Sequence, residues 1–160
     1  MPLSSSLVGT GTTPLGHRVD ARSLMAYAAG FGATDARYYD TVAGLAMHPV
    51  FPVCMEWDSI LALRYGPGAA DKLDAEQARA VHADHDLHIL SYVTSDAKLH
   101  TTATAVAVER RKPGAYLLKR LDTVDDTGRL VFRTWQGTLY RGVEVTGPDR
   151  AIAAPPPGPP

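Results

Sequence analysis

One cysteine, Cys54, is all the thiol chemistry the chain holds, so it can form neither an internal disulfide nor a cysteine-rich zinc site. No apolar run approaches the ~18 residues of a transmembrane helix. Charge of one sign is missing too: 16 basic and 17 acidic side chains leave a formal charge of −1, with the six histidines neutral. A nucleic-acid surface needs a basic surplus to meet phosphates, and none is available. The N-terminus has no basic stretch followed by an apolar one, so no signal peptide is expected and a cytoplasmic protein is. What is present is 45% apolar residues in a chain of 160, enough for one sizeable core and outside the composition of disordered chains.

Composition also divides the chain. Residues 1–16 are rich in Ser, Thr and Gly and read as an irregular lead-in, residues 17–146 as one domain, and 147–160 as a disordered tail. The last ten residues hold five of the twelve prolines, which gives that tail polyproline character. Helical signals come first within the domain. Asp20 is the expected N-cap of a helix over 21–29, with Leu24, Tyr27 and Ala28 on one face and Gly30 and Gly32 ending it. A second helix begins near Pro52 and ends at Gly66-Pro67-Gly68. Val53, Trp57, Ile60, Leu61 and Arg64 share one of its faces, Met55, Leu63 and Tyr65 widen the apolar coverage, and the helix is expected to be largely buried.

From about residue 80 the period changes to two. Strands are predicted over 82–90, 99–108, 115–124 and 130–140, with turns at Arg111-Lys112-Pro113-Gly114 and Asp125-Asp126-Thr127-Gly128. In the second of them Thr101, Ala103, Ala105 and Ala107 fall on one face and Thr102, Thr104, Val106 and Val108 on the other. Helices followed by antiparallel strands make an α+β fold, with the long helix buried against a curled sheet.

Three stretches carry a resemblance. They are Tyr27-Ala-Ala-Gly-Phe-Gly-Ala-Thr-Asp-Ala-Arg-Tyr-Tyr-Asp40, Met47-His-Pro-Val-Phe-Pro-Val53 and His82-Ala-Asp-His-Asp-Leu-His-Ile-Leu90. In that order and spacing they resemble the N-terminal hot-dog domain of MaoC-like dehydratases, also called (R)-specific enoyl-CoA hydratases or hydratase 2. The resemblance runs over most of the chain. It implies a single hot-dog, an antiparallel sheet wrapped around the helix at 52–65. It also implies pairing with a second hot-dog subunit through a sheet edge, as a homodimer or as a heterodimer. The chemistry implied is hydration of an enoyl thioester, or the reverse dehydration, on acyl-CoA or acyl carrier protein, with no metal or redox cofactor.

In that family an Asp and a His activate one water, while a glycine amide and a helix N-terminus polarise the thioester carbonyl. The pair lies in a motif Gly-Asp-x-Asn-Pro-(Leu/Ile/Val)-His, which on this chain begins at Gly32. Its Asp falls on Ala33, its Asn on Asp35, its Pro on Ala36 and its His on Tyr38. Alanine takes no proton, and a tyrosine of pKa about 10 is a poor base near neutrality. This is the pattern of the half of a double hot-dog that lost its dyad and shapes the acyl pocket, here as a separate chain.

Other residues bear on chemistry. Asp35, Tyr38, Tyr39 and Asp40 adjoin the vacant positions; the carboxylates read as turn formers and caps, with a displaced acid/base pair as the alternative. His48 opens a stretch that borders the acyl channel in the resemblance, with Tyr27, Gly32, Tyr39, Phe51, Val53, Trp57 and His85 as candidate substrate-binding residues. A structural His48 bonded to backbone is the competing reading. Glu56 and Asp58 lie on the long helix, where other hot-dog dehydratases and thioesterases resemble this stretch in placing a carboxylate. That supports a self-sufficient homodimeric enzyme, and a non-catalytic binder of acyl ligands is a third reading. His82, Asp84, Asp86 and His88 share one strand face by their period of two. Alternate side chains on a strand stand about 7 Å apart and converge poorly, so a solvated face is expected rather than a metal site. On the opposite face His85 accompanies Ala83, Leu87 and Ile89 and reads as a core histidine rather than a base, and Cys54, Tyr116, Trp135 and Tyr140 read as packing residues.

Overall fold

The computed structural model describes residues 2–65 and 77–157. In chain order its elements are β1 (Leu3–Ser4), β2 (Leu15–Arg18), α1 (Ala21–Gly30), α2 (Pro52–Tyr65), β3 (Ala80–Ile89), β4 (Lys98–Arg111), β5 (Gly114–Asp125), β6 (Leu130–Arg141), β7 (Val145–Thr146) and β8 (Arg150–Ala151). The main sheet runs β2-β4-β5-β6-β3, all antiparallel, and β8 adds to β4 beyond the end of β2. This is the α+β arrangement expected, a sheet around one central helix. The predicted helix end at Gly66-Pro67-Gly68 lies outside the described residues.

One face of the sheet, the inner face, carries α2. Ile60 packs on Ala103 of β4 and Leu121 of β5, and the Ser59 hydroxyl donates to the Thr101 carbonyl at 3.3 Å. Helical periodicity puts Pro52, Met55, Glu56, Ser59 and Ile60 on the buried side. That is not the face expected from hydrophobicity. Trp57 and Tyr65 are each 51% exposed, and Cys54 is exposed rather than packed in the core. The sheet supplies a hydrogen-bond partner for each of two inward-facing polar residues, Glu56 and Ser59, which offsets part of their desolvation cost. A second layer of core forms where α1 and the segment leading into α2 meet the sheet: Leu24, Met47, Phe51, Leu99, Val131 and Phe132 pack together there.

Bulges correct the simple alternation in two strands. In β4 the pairing with β5 shifts between Ala105 and Ala107. Thr101, Ala103 and Ala105 keep the inner face, but Val108 then joins Ala105 in the core while Val106 and Ala107 pack with Trp135 on the other side. In β3 the register shifts between His82 and Asp84, so Ala83 is the extra residue. The bulge carries His82 to the inner face, where its ring stacks on His85 at 5.4 Å. The expected four-residue polar face is therefore reduced to Asp84, Asp86 and His88.

Both ends hold more structure than their composition predicts. Leu3 and Val8 are buried against Tyr140, Val143 and Val145, and β1 pairs with β7. Near the C-terminus β8 pairs with β4, and the Ile152 amide donates to the Val106 carbonyl at 2.9 Å. A few well-placed apolar residues and an open β4 edge decide these segments, not their Ser, Gly and Pro content.

Candidate functional site

The segment between α1 and α2 holds Ala33 and Tyr38, the positions on which the resemblance lays the family's Asp and His. Helix α1 starts on Asp20, whose carboxylate accepts from the Ser23 amide at 2.9 Å. It ends in a Schellman motif: the Gly32 amide donates to Ala29 O at 2.9 Å and the Ala33 amide to Ala28 O at 3.0 Å. Gly32 stands at φ +67, which a side chain would resist, so glycine is required here by the turn. Ala33 follows directly, its amide spent on closing the helix and its methyl unable to take part in proton transfer.

The carboxylates that follow are committed locally. Asp35 caps a short 3-10 turn over Ala36–Tyr38 and accepts from the Arg37 amide at 3.0 Å and from Arg37 Nε at 2.8 Å. These contacts with the Arg37 side chain and amide hold its carboxyl below the usual range. Asp40 accepts from the Val42 and Ala43 amides, each at 2.9 Å, and is lowered by them. A depressed carboxylate is a weak base. Tyr39 turns its hydroxyl back onto the Ala33 carbonyl at 2.6 Å.

Around them lies an aromatic group. Tyr27 touches Phe31 at 5.2 Å and meets Phe51 edge-on at 5.4 Å, with its hydroxyl donating to Val50 O at 2.9 Å. His48 stacks on Phe31 at 4.9 Å and lies 5.5 Å from the Tyr38 ring. Its Nδ1 accepts from the Val50 amide at 3.4 Å, so the neutral ring carries its proton on Nε2. Tyr27, Phe31, Tyr38, His48 and Phe51 are thus drawn into one cluster, with Val53 half-buried beyond it at the start of α2.

On α2 the two candidate carboxylates part company. Asp58 is exposed and its charge acts on His17 of β2. Glu56 is 0% exposed; Oε1 accepts from the Thr134 hydroxyl at 2.7 Å and Oε2 has no partner. Burial pushes its carboxyl up to about 7, against the opposing pull of the Thr134 hydroxyl. No hydrogen bond or ring contact joins Glu56 to His48. Trp57, expected as pocket wall, instead faces outward from α2.

Sequence reading missed the polar centre of the inner sheet face. Lys119 of β5 is 5% exposed, and its ammonium donates to Gln136 Oε1 at 2.7 Å and Thr138 Oγ1 at 3.0 Å. Burial drives its pKa down to about 7, helped by the Arg64 charge. The signal was present as period two: Lys119 alternates with Leu117 and Leu121, both of which point inward. His85, half-buried on β3, faces the same side opposite Gln136.

These arrangements allow two kinds of chemistry. The segment from 31 to 51 offers an aromatic wall whose carboxylates are held by local hydrogen bonds, while Glu56 is a carboxyl poised to hold or release a proton near neutral pH. Among the described residues no cluster of His, Cys, Asp or Glu is placed to hold a metal ion, and no helix is long and apolar enough to cross a membrane.

Known structures place the fold. The HadBC complex of Mycobacterium tuberculosis, a 3R-hydroxyacyl-ACP dehydratase, superposes with a TM-score of 0.72 at 14% identity, covering 83% of this chain and 96% of that one. A MaoC-like dehydratase from Phytophthora Capsici gives 0.74 at 17% identity, covering 95% of this chain and 54% of that one, so this chain spans about half of it. The ChsH1-ChsH2 complex of Mycobacterium tuberculosis gives 0.61 at 10% identity, covering 85% and 99%. A search of curated proteins gives no match. Likenesses at this identity are of fold, and the fold is the hot-dog. The family model for the MFE-2 hydratase 2 N-terminal domain matches residues 17–142, which spans α1, α2 and the whole run from β3 to β6, and the chain belongs to that family.

Proposed function

We propose that the chain is the non-catalytic, pocket-forming subunit of a heteromeric hydratase or dehydratase acting on enoyl or 3-hydroxyacyl thioesters of CoA or acyl carrier protein. The observation that carries this is the state of residues 32–40. Ala33 and Tyr38 stand at the dyad positions, and Asp35 and Asp40 are held by an arginine and by backbone amides. A second hot-dog subunit with an intact Asp and His adds water across the double bond. This chain contributes the wall, with Tyr27, Phe51 and the His48 ring along the acyl group. Two of the similar structures, HadBC and ChsH1-ChsH2, are themselves complexes of two named components, which favours a hot-dog partner.

The test is hydration of crotonyl-CoA and a longer enoyl-CoA, followed by loss of the enone absorbance. The purified chain alone is expected to be silent, and adding a dyad-bearing hot-dog partner to restore turnover. Turnover by the chain alone overturns the reading. One observation favours a second reading, a self-sufficient homodimer using the central helix: Glu56 is buried, unpartnered at Oε2 and titrates near 7. In that case Glu56→Gln would lower turnover by the ~10²–10⁴-fold that a general acid or base contributes.

A further inference from the structure

The outer face of the sheet ends in a row of arginines. Ala80 of β3, Tyr140 of β6 and Ala115 of β5 pack inward with Val108, so the next residue on each strand toward that end turns outward. The register sets Arg111 opposite Gly114, and Gly114 opposite Arg141. Arg79, one residue before β3, continues the row beside the Ala80 and Tyr140 pair, its carbonyl accepting from the Arg141 amide at 3.1 Å. Arg111 lies 3.5 Å over the ring of Tyr116, on the face that carries Trp135. Lys112 follows in the turn between β4 and β5. All four side chains are exposed, and the row crosses four strands, about 14 Å.

This row is poorly compensated. Arg79 and Arg141 stand directly opposite each other, and like charges in that position repel. Nearby carboxylates are engaged: Glu109 holds Arg111 at 2.9 Å, and Asp149 holds Arg110 at 2.6 Å. Among the described residues no carboxylate, Glu144 included, lies within ion-pair distance of Arg79, Arg141 or Lys112. In a chain of formal charge −1 the row is a local concentration, not the by-product of a basic composition. A row of carboxylates from outside relieves the repulsion, and guanidinium forks match carboxylates in pairs.

We propose that Arg79, Arg141, Arg111 and Lys112 form a docking surface for an acidic protein, the carrier of the acyl group. The identity of that protein rests on the acyl-thioester reading above; the surface itself does not. An exposed row of this length fits an extended acidic surface better than a single small anion. It is also separate from pairing with a second hot-dog. Only Arg79 borders the open edge at β3, while Arg111 and Lys112 lie two strands further into the sheet, at β4.

The experiment measures binding of an acyl carrier protein, in its apo form without phosphopantetheine, to the full-length chain at about 50 and 300 mM salt. Hexanoyl-CoA is titrated in parallel, and crotonyl-CoA turnover is followed with the dyad-bearing partner present. All three are repeated with Arg79→Gln and Arg141→Gln combined, which should leave the melting temperature unchanged or raise it. Carrier binding weakened about tenfold or more by the two substitutions, and by salt in the wild type, with turnover unchanged, supports the proposal. The same weakening with no turnover of any ester keeps the surface and removes the acyl-thioester reading. Absent carrier binding, or binding indifferent to the substitutions, overturns the proposal and leaves that reading standing if turnover is retained. Hexanoyl-CoA weakened in the carrier's place assigns the row to nucleotide phosphates and overturns it as well. So does carrier binding that appears only after Asp71→Asn, Asp74→Asn and Glu76→Gln, since the row is then taken by the chain's own carboxylates.

Discussion

The segment from 31 to 51 and the sheet face beneath α2 use their polar residues in opposite ways. The first is crowded with groups that look chemical, Asp35, Arg37, Tyr38, Tyr39, Asp40 and His48, and nearly all of them are spent on caps, turns and ring stacking. The second holds few such groups, yet Glu56 and Lys119 are buried with incomplete partners, and burial displaces the acidity of each to about 7. Density of acidic and basic side chains in a sequence therefore says little about reactivity. What matters is whether each one has already been satisfied.

The largest effect that sharpens this contrast comes from its structural hinge. Phe51 is 2% exposed and holds the loop to the core through Tyr27. Phe51→Ala is expected to cost about 3–5 kcal/mol in a urea melt, and to loosen the aromatic cluster with it.

Next come the two buried charges, which pull stability in opposite directions with pH. Glu56 titrates near 7 when folded against an ordinary 4.5, so the folded state holds more protons in that window and stability falls as pH rises through it. Glu56→Gln should therefore gain on the wild type with rising pH, by about 3 kcal/mol once above pH ~8. Lys119 is lowered from 10.5 to about 7, so the unfolded chain holds more protons there. Its cost is greatest below pH 7 and fades as pH rises toward 10.5, and Lys119→Met should gain most on the acidic side. Parallel pH profiles for the two variants would break the comparison. Chemical melts from pH 4 to 9 read both.

A smaller effect tests a polar pair that is satisfied. Tyr116 donates to Asp84 at 2.8 Å beneath the Arg111 guanidinium, which sits 3.5 Å from its ring. The pair passes directly over Gly137, where a methyl group would collide with both side chains. Gly137→Ala is expected to cost about 1–3 kcal/mol by overpacking, read by thermal melting, while Asp84→Asn should leave reconstituted turnover unchanged. Smallest of all, Asp35→Ala, Asp40→Ala and Asp58→Asn should each leave reconstituted turnover far short of the ~10²-fold loss that marks a catalytic base. A loss of that size at any of them would return chemistry to the loop.

Much of the architecture was legible in local pattern. The Asp20 cap, the helix at Pro52 and the period-two runs after residue 80 are short-range signals, and the elements appear where those signals place them. The turn that ends α1 at Gly32 was legible for the same reason. The inward face of α2 was not. Hydrophobicity put Trp57 inside and gave no reason to bury Glu56, because that reason, the Thr134 hydroxyl, lies 78 residues away in sequence.

Local sequence by itself determined the element order and the turn at Gly32, since each depends on backbone preference or residue identity within a few positions. Only the tertiary structure decided which side of α2 is buried, where the bulges send His82 and Val108, and that Lys119 meets Gln136 and Thr138. Those outcomes depend on register between strands distant in the chain, and a single bulge reverses the facing of every residue beyond it.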